Sequence, residues 1–282
     1  MTVHVIVPVF NRLALTQSLV ACLRKQTLNQ DLLRILIVDD GSTDGSAEWL
    51  AAQGDIEVLN GDGSLFWGGA VNLAVRHLHA RATAQDWVLL MNNDTTVASD
   101  FVQGLLDMAR SNAPAAVGSV IRDKADHARL LSIGARVDAW RLLTRDLLDE
   151  RRSQQLSDAA VEVDVLSGRG VLFPMGSLIA AGGMRPRALP HYLADYEVSL
   201  RVRKSGWRLL VLPTAAVYSV DDYGSTRRAL SWRDKLFSVR SPLYLPAMLT
   251  FWWEASNWLQ RLTLPLRLPL FIFFPRLRKP QT

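Results

Sequence analysis

The feature that most limits the possible folds is a set of short apolar runs that do not alternate. Residues 4–9 (HVIVPV), 34–39 (RILIVD), 56–59 (IEVL), 87–91 (WVLLM) and 115–121 (AAVGSVI) are rich in Val, Ile and Leu. A strand with one wet face alternates apolar and polar residues, whereas a continuously apolar strand is covered on both faces. Between the runs lie stretches with helical spacing: Leu15, Leu19, Cys22 and Leu23 fall at i, i+4, i+7 and i+8, and residues 69–82 form a second such stretch. Strands alternating with helices predict an α/β chain whose central sheet is mainly parallel, Rossmann-like and flanked by helices. In open α/β sheets ligands bind outside the carboxyl ends of the strands. The residues that end each apolar run are therefore where chemistry is expected.

Those residues are polar beyond what stopping a strand requires. VIVPVFNR (5–12) ends in Asn11 and Arg12, ILIVDDGSTDGS (35–46) in Asp39 and Asp40 followed by a Gly-Ser-Thr turn, and WVLLMNND (87–94) in two amides and a carboxylate. Carboxylates at a sheet edge accept hydrogen bonds from a base or ribose, and the amides of a turn into a helix meet phosphate. Asp, Gly and Ser also dominate ordinary turns, so one such loop decides nothing. Three at strand ends point to a ligand.

The ordered set VPVFNR, VDDGSTDGS, MNNDTTV and ADYEVSLRVRKSGWRL (194–209) resembles the inverting family 2 glycosyltransferases of the GT-A fold over roughly residues 3–225. GDGSLFWGGAVN (61–72) is similar to rhamnosyltransferase-like enzymes that build bacterial surface polysaccharides. The resemblance implies a nucleotide-diphospho-sugar donor, dTDP- or UDP-linked, with dTDP-rhamnose as one form, held by Pro8, Phe10, Asn11, Arg12, Asp39, Asp40, Gly68, Asn72, Asn92 and Asn93. It places Asn92-Asn93-Asp94 at the family's D-x-D motif, where Asp94 would bind a divalent cation, Mg²⁺ or Mn²⁺. A hard cation commonly takes one or two carboxylates plus phosphate oxygens. Many relatives add a histidine after the last strand of the domain; no histidine lies between 192 and 282, and Asp221 or Asp222 could substitute for it.

In ADYEVSLRVRKSG the family pattern Glu-Asp-x-Asp/Glu-x-x-x-Arg assigns Asp195 as the catalytic base, with Glu197 and Arg201 as the second acid and the arginine. Ala194 stands where the pattern has its first acid. A capped helix explains the same residues: Asp195 favours the helix dipole and Glu197–Arg201 is an i, i+4 pair. SGRGVLFPMGSLIAAGGMRP (167–186) matches the acceptor-side wall, which assigns Gly168, Arg169 and Gly170 there, with His191, Tyr192 and Glu197 beside them.

Charge separates the end of the chain from the rest. Of the 282 residues, 226–282 hold ten Lys and Arg against two acids, a net of +8, so the first 225 residues sum to −3. With that boundary, the resemblance implies a GT-A domain over 1–225, with a nucleotide-sugar half (1–121) and an acceptor half (122–225), and the charge predicts a separate amphipathic helical tail over 226–282. From Pro246 to Leu262 one helix is expected, with Thr250, Glu254, Asn257 and Arg261 as its polar stripe and Met248, Phe251, Ala255, Trp258 and Leu262 opposite. The apolar run at 262–279 is interrupted by Arg267 and three prolines, too short and broken for the about 20 residues that span a bilayer. Basic and tryptophan-rich, the tail is expected to lie on an anionic membrane surface; the alternative is packing on the catalytic domain or on a second subunit of a homodimer. MTVHVIVPVF has no basic n-region or cleavage site, and the single cysteine, Cys22, excludes an intrachain disulfide. The expected location is the cytoplasmic face of the cell membrane, with a lipid-linked or growing glycan as acceptor.

Other classes lack their signatures. A dinucleotide oxidoreductase needs G-x-G-x-x-G after the first strand and a P-loop enzyme needs G-x-x-x-x-G-K-[ST]; neither is present. Nucleic acid is not an expected partner, because the basic residues lie in an apolar, Trp- and Pro-rich tail. The alternative function is a catalytically inactive, membrane-associated GT-A-like scaffold or sugar-nucleotide-binding protein.

Overall fold

The computed structural model describes residues 1–150, 158–220 and 231–274. In chain order the elements are β1 (Val3–Val9), α1 (Leu13–Arg24), β2 (Leu33–Asp39), α2 (Ser46–Ala51), β3 (Ile56–Asn60), α3 (Phe66–His79), β4 (Trp87–Leu90), β5 (Thr96–Val97), α4 (Phe101–Ser111) and β6 (Ala115–Asp123). There follow β7 (Leu130–Ser132), β8 (Ala135–Asp138), β9 (Leu143–Asp146), α5 (Leu147–Glu150), β10 (Val161–Glu162), β11 (Val171–Pro174), α6 (Met175–Ala180), α7 (Ala194–Lys204) and β12 (Arg208–Ser219). The tail contributes α8 (Trp232–Phe237), α9 (Leu245–Ala255) and α10 (Trp258–Phe273).

The main sheet runs β10-β12-β6-β11-β4-β1-β2-β3. Its β4-β1-β2-β3 side is parallel, as the alternation of strands and helices requires, and β6 and β12 are parallel to each other. Between these two groups β11 enters antiparallel to both β4 and β6. The non-alternating strands are apolar for the expected reason. Ile6, Leu36, Val38 and Leu90 pack under α3 and α7 on one face, while Val5, Val7, Ile37 and Leu89 pack under α1 and α4 on the other.

The tail packs on the body. Met248, Phe251 and Trp252 of α9, with Leu264, Leu268 and Ile272 of α10, bury against Ala135, Leu142, Val165 and Leu200. Glu254 pairs with Lys204 of α7 at 2.7 Å and with Arg185 at 3.1 Å. The single helix expected over Pro246–Leu262 is instead two. Ser256 is extended, and Asn257 caps α10 by accepting from the Gln260 N–H at 2.9 Å while Gln260 accepts from the Asn257 N–H at 2.9 Å. This reciprocal capping box satisfies two N–H groups that a helix start leaves open. Helix continues through Pro265 and Pro269 to Phe273, further than the broken apolar run suggested. Among the described residues no helix is long and apolar enough to cross a membrane.

Candidate active site

Register brings the polar strand ends to one edge of the sheet. Val9 of β1 stands opposite Asp39 of β2, and Asp39 opposite Asn60 of β3. Because β11 is antiparallel, its first residue, Val171, pairs with Leu90, the last of β4. The 167–170 loop therefore reaches the edge where Asn92, Asn93 and Asp94 emerge. No alternation pattern reveals that meeting; only sheet order does.

The β1 and β2 ends are sewn together. Asn11 and Arg12 both adopt left-handed backbone, at φ 59° and 65°, a conformation uncommon outside glycine that persists where surrounding contacts enforce it. Those contacts are the Thr43 N–H donating to Asn11 Oδ1 at 2.9 Å and the Asn11 N–H donating to Ser42 Oγ at 2.8 Å. The turn directs Arg12 at Asp94, with Nη1 3.2 Å from Oδ2. Asp39 takes the Ser42 N–H and hydroxyl on Oδ1. Asp40 is occupied by the fold: Oδ1 accepts from the Gly63 and Leu65 N–H groups and Oδ2 from Phe66 N–H, which fixes the loop into α3. Pro8 is half-buried in β1 and Phe10 is exposed beyond it.

The three polar residues that follow Met91 beyond β4 part company. Asn93 turns inward and donates to Thr16 Oγ1 at 3.1 Å. Asn92 Oδ1 accepts from the Trp67 indole N–H at 2.9 Å. Asp94 Oδ1 is buried without a hydrogen-bond partner, while Arg12 holds the other oxygen. One free carboxylate oxygen fits a divalent ion that draws most of its ligands from a donor's phosphates, the usual arrangement for Mg²⁺. Among the described residues no group of three or more His, Cys, Asp or Glu is placed to hold a metal unaided. Asp221 and Asp222 lie outside the described residues; Ser219, which ends β12, is hydrogen-bonded to Arg169 Nη1 at 3.4 Å.

Trp67, which sequence reasoning did not single out, joins the two halves. Its ring lies so close to Gly168 that a Cβ there would come within 2.3 Å of the indole. The Gly168 N–H in turn donates to Asp195 Oδ2 at 2.8 Å, and Asp195 Oδ1 accepts from the Tyr196 N–H at 2.9 Å. Asn92, Trp67, Gly168 and Asp195 thus form one line of contact from the end of β4 to the start of α7. Asp195 keeps part of its surface accessible. Surrounding protein pushes its pKa up, with the two N–H bonds and the Arg169 charge acting in the opposite direction. Gly170, at φ 84°, donates its N–H to Leu90 O at 2.9 Å and packs against Ser119 and Val217.

Glu197 is elsewhere. Only 1% exposed, it is bound by Arg201 Nε at 2.7 Å and Nη2 at 2.8 Å, with Arg185 at 2.9 Å. The i, i+4 pair foreseen as the structural explanation is a buried strut, and the carboxylate does not line the acceptor side. Gly68 likewise serves packing: its N–H donates to Pro190 O at 2.7 Å and a Cβ would meet Leu189 O at 2.3 Å. Asn72 is half-buried on α3. His191 stacks near Phe66 and Tyr192, its Nδ1 buried without a partner, and burial followed by the Arg240 charge lowers its pKa. Arg240, from the tail, lies 6.0 Å from the Phe66 ring.

The sequence model of the family described as Glycosyl transferase family 2 matches residues 4–157, more than half of the chain. The chain belongs to that family. Its fold is that of the GT-A enzymes. GalNAc-T7, solved with UDP, GalNAc and Mn²⁺, is similar to this family 2 chain with a TM-score of 0.65 at 15% identity, over 89% of this chain and 47% of that one. S. aureus TarS 1–349, solved with UDP-GlcNAc, is similar with a TM-score of 0.54 at 18% identity, over 78% of this chain and 58% of that one. The chain thus spans about half the length of these structures, and the likeness is one of fold. No curated protein sequence matches it.

Proposed function

We propose that this family 2 chain transfers a sugar, with inversion, from a nucleotide-diphospho-sugar to a glycan hydroxyl. The observation that carries the reading is the line of contact from Asn92 through Trp67 and Gly168 to Asp195. It sets an acid with a raised pKa beside the strand end that carries Asp94 and its unpartnered oxygen. Asp94 and the donor's phosphates would hold a divalent cation, Mg²⁺ or Mn²⁺, whose chemistry is to neutralise charge on the departing diphosphate. Arg12, paired to Asp94, adds positive charge on the same side. Asn11 and Asp39 shape the nucleoside end, and Asn92, fixed by Trp67, faces the sugar.

Asp195 acts on the acceptor. As the acceptor oxygen bonds to the sugar's C1 from the face opposite the nucleotide, the C1–O bond to phosphate breaks, the nucleoside diphosphate leaves and the hydroxyl proton passes to Asp195. The acceptor is a lipid-linked or growing cell-surface glycan, and the donor a dTDP- or UDP-sugar, with dTDP-rhamnose among the candidates. Residues 1–225 are the catalytic unit. The basic tail, 226–282, keeps the protein peripheral on the cytoplasmic face of the cell membrane.

A positioned base contributes about 10²–10⁴-fold. Asp195→Asn should lower kcat at least about a hundredfold while donor affinity, read by thermal shift with UDP- and dTDP-sugars, stays near wild type. Turnover within a few-fold of wild type refutes the assignment. Equal loss of donor binding and turnover refutes it too, since a base acts on the acceptor.

A further inference from the structure

Helix α10 is apolar on both sides, and only one side is covered. Leu264, Leu268 and Ile272 face the body and are buried. On the opposite side Trp258, Leu262, Leu266, Leu270 and Phe273 repeat every three or four residues and are between 49% and 72% exposed. Pro265 and Pro269 fill the gaps between them, so every exposed position of α10 is apolar. At about 1.5 Å per residue the face is roughly 24 Å long. The Trp232 ring of α8 extends it, 5.5 Å from the Phe273 ring, and the exposed Phe237 lies on the same short helix. A soluble monomer's largest apolar patch is about 300–600 Å², and larger ones mark interaction sites.

This face matches the one expected from the sequence only in part. Met248 and Phe251 of that set are buried against the protein, while Trp258 and Leu262 belong to the uncovered ridge. The charges around the ridge identify its occupant. Residues 256–274 contain no acid, and the tail as a whole carries +8. Lys235 lies over Trp232 at 4.8 Å and Arg261 over the exposed Trp253 at 5.1 Å, pairing aromatic rings with cations along the border. Tryptophan with Lys and Arg at the edge of an apolar face suits the boundary between acyl chains and anionic headgroups. A second copy of this chain suits it less, because a two-fold contact would set each basic border against its own equivalent.

A surface position also agrees with the helix itself. Pro265 and Pro269 have no N–H to give the carbonyls of Arg261 and Pro265, carbonyls that water and headgroups reach at a bilayer surface, and no described helix is long and apolar enough to cross. We infer that the exposed ridge of α10, with Trp232 and Phe237, lies in the plane of an anionic phospholipid surface without crossing it. The same segment approaches the catalytic side: eight residues beyond Trp232, Arg240 reaches Phe66 beside His191. A lipid-borne acceptor would thus be met beside His191, on the side proposed for the acceptor. This deepens the peripheral location proposed above and rests on that reading for its purpose. Its test reads lipid binding alone, so it fails or stands separately from glycosyl transfer.

The test is vesicle flotation of the full chain with phosphatidylcholine alone and with phosphatidylglycerol added, over a range of NaCl. Binding should appear with the anionic lipid and weaken as salt rises. Leu262→Glu/Leu266→Glu should lower partitioning at least tenfold, and the neutral pair Leu262→Ser/Leu266→Ser should lower it as well. Both pairs alter exposed positions, so their melting curves should match wild type. Absence of flotation overturns the inference, as does flotation unchanged in either folded variant. A dimer by light scattering that fails to float and that the variants convert to monomer assigns the ridge to a second copy instead.

Discussion

Glu197→Ala separates a structural carboxylate from the one proposed as catalytic, two residues away on the same helix. Glu197 is 1% exposed, and its main partner Arg201 is buried too, bound by Nε at 2.7 Å and Nη2 at 2.8 Å. Arg201 also donates to the carbonyls of Ala181 and Gly183, tying α7 to the turn after α6. Removing the carboxylate leaves the Arg201 guanidinium buried without its counter-charge. Breaking such a pair costs about 3–5 kcal/mol. The contact with the half-exposed Arg185 adds little, as solvent-exposed ion pairs do. An unfolding entropy of about 2.1 cal/mol/K per residue gives roughly 0.6 kcal/mol/K for a chain of this length, so Tm should fall by roughly 5–8 °C. Calorimetric melting measures that, and turnover well below the melt measures the rest; the folded variant should keep most of its kcat. Glu197→Gln, which keeps an acceptor oxygen but loses the charge, should fall between. Melting within about 1 °C of wild type refutes the strut. Unchanged melting with lost turnover would return Glu197 to the reaction.

Asp94→Ala removes the oxygen that lacks a partner and frees Arg12, so calorimetry should show weaker nucleotide binding in Mn²⁺ or Mg²⁺ with the fold intact; unchanged binding removes Asp94 from the site. Burial raises the Asp195 pKa, and in its proposed role as base it must be ionised to work. Turnover should therefore fall with decreasing pH through a value above that of an ordinary aspartate (about 3.9), and an acid limb at or below it contradicts the environment described here. The same sign governs stability: the folded state holds this proton more tightly than the unfolded chain, so ionising Asp195 costs stability as pH rises through that window.

Much of the architecture follows from the sequence alone. Apolar strands without alternation can be stable only when covered on both faces, and polar residues at their ends must gather where parallel strands finish. The edge bearing Asn11, Asp39, Asn92 and Asp94 was therefore legible, as was the basic, apolar character of the tail. The N-x-x-Q capping signature at Asn257–Gln260 was legible too, and would have divided the tail into two helices. The remainder depended on neighbours that are distant in sequence. Asp195 and Glu197 are both acids in the first turn of α7, yet a helix turns about 100° per residue, so two positions send one carboxylate to Gly168 and the other into the core with Arg201. Gly68 and Gly168 look alike in sequence; one lies against Leu189 and Pro190, the other against Trp67. Local periodicity dictates which faces are apolar because it acts within one element. What each polar group meets is set by sheet order and helix packing, and those exist only once the whole chain has folded.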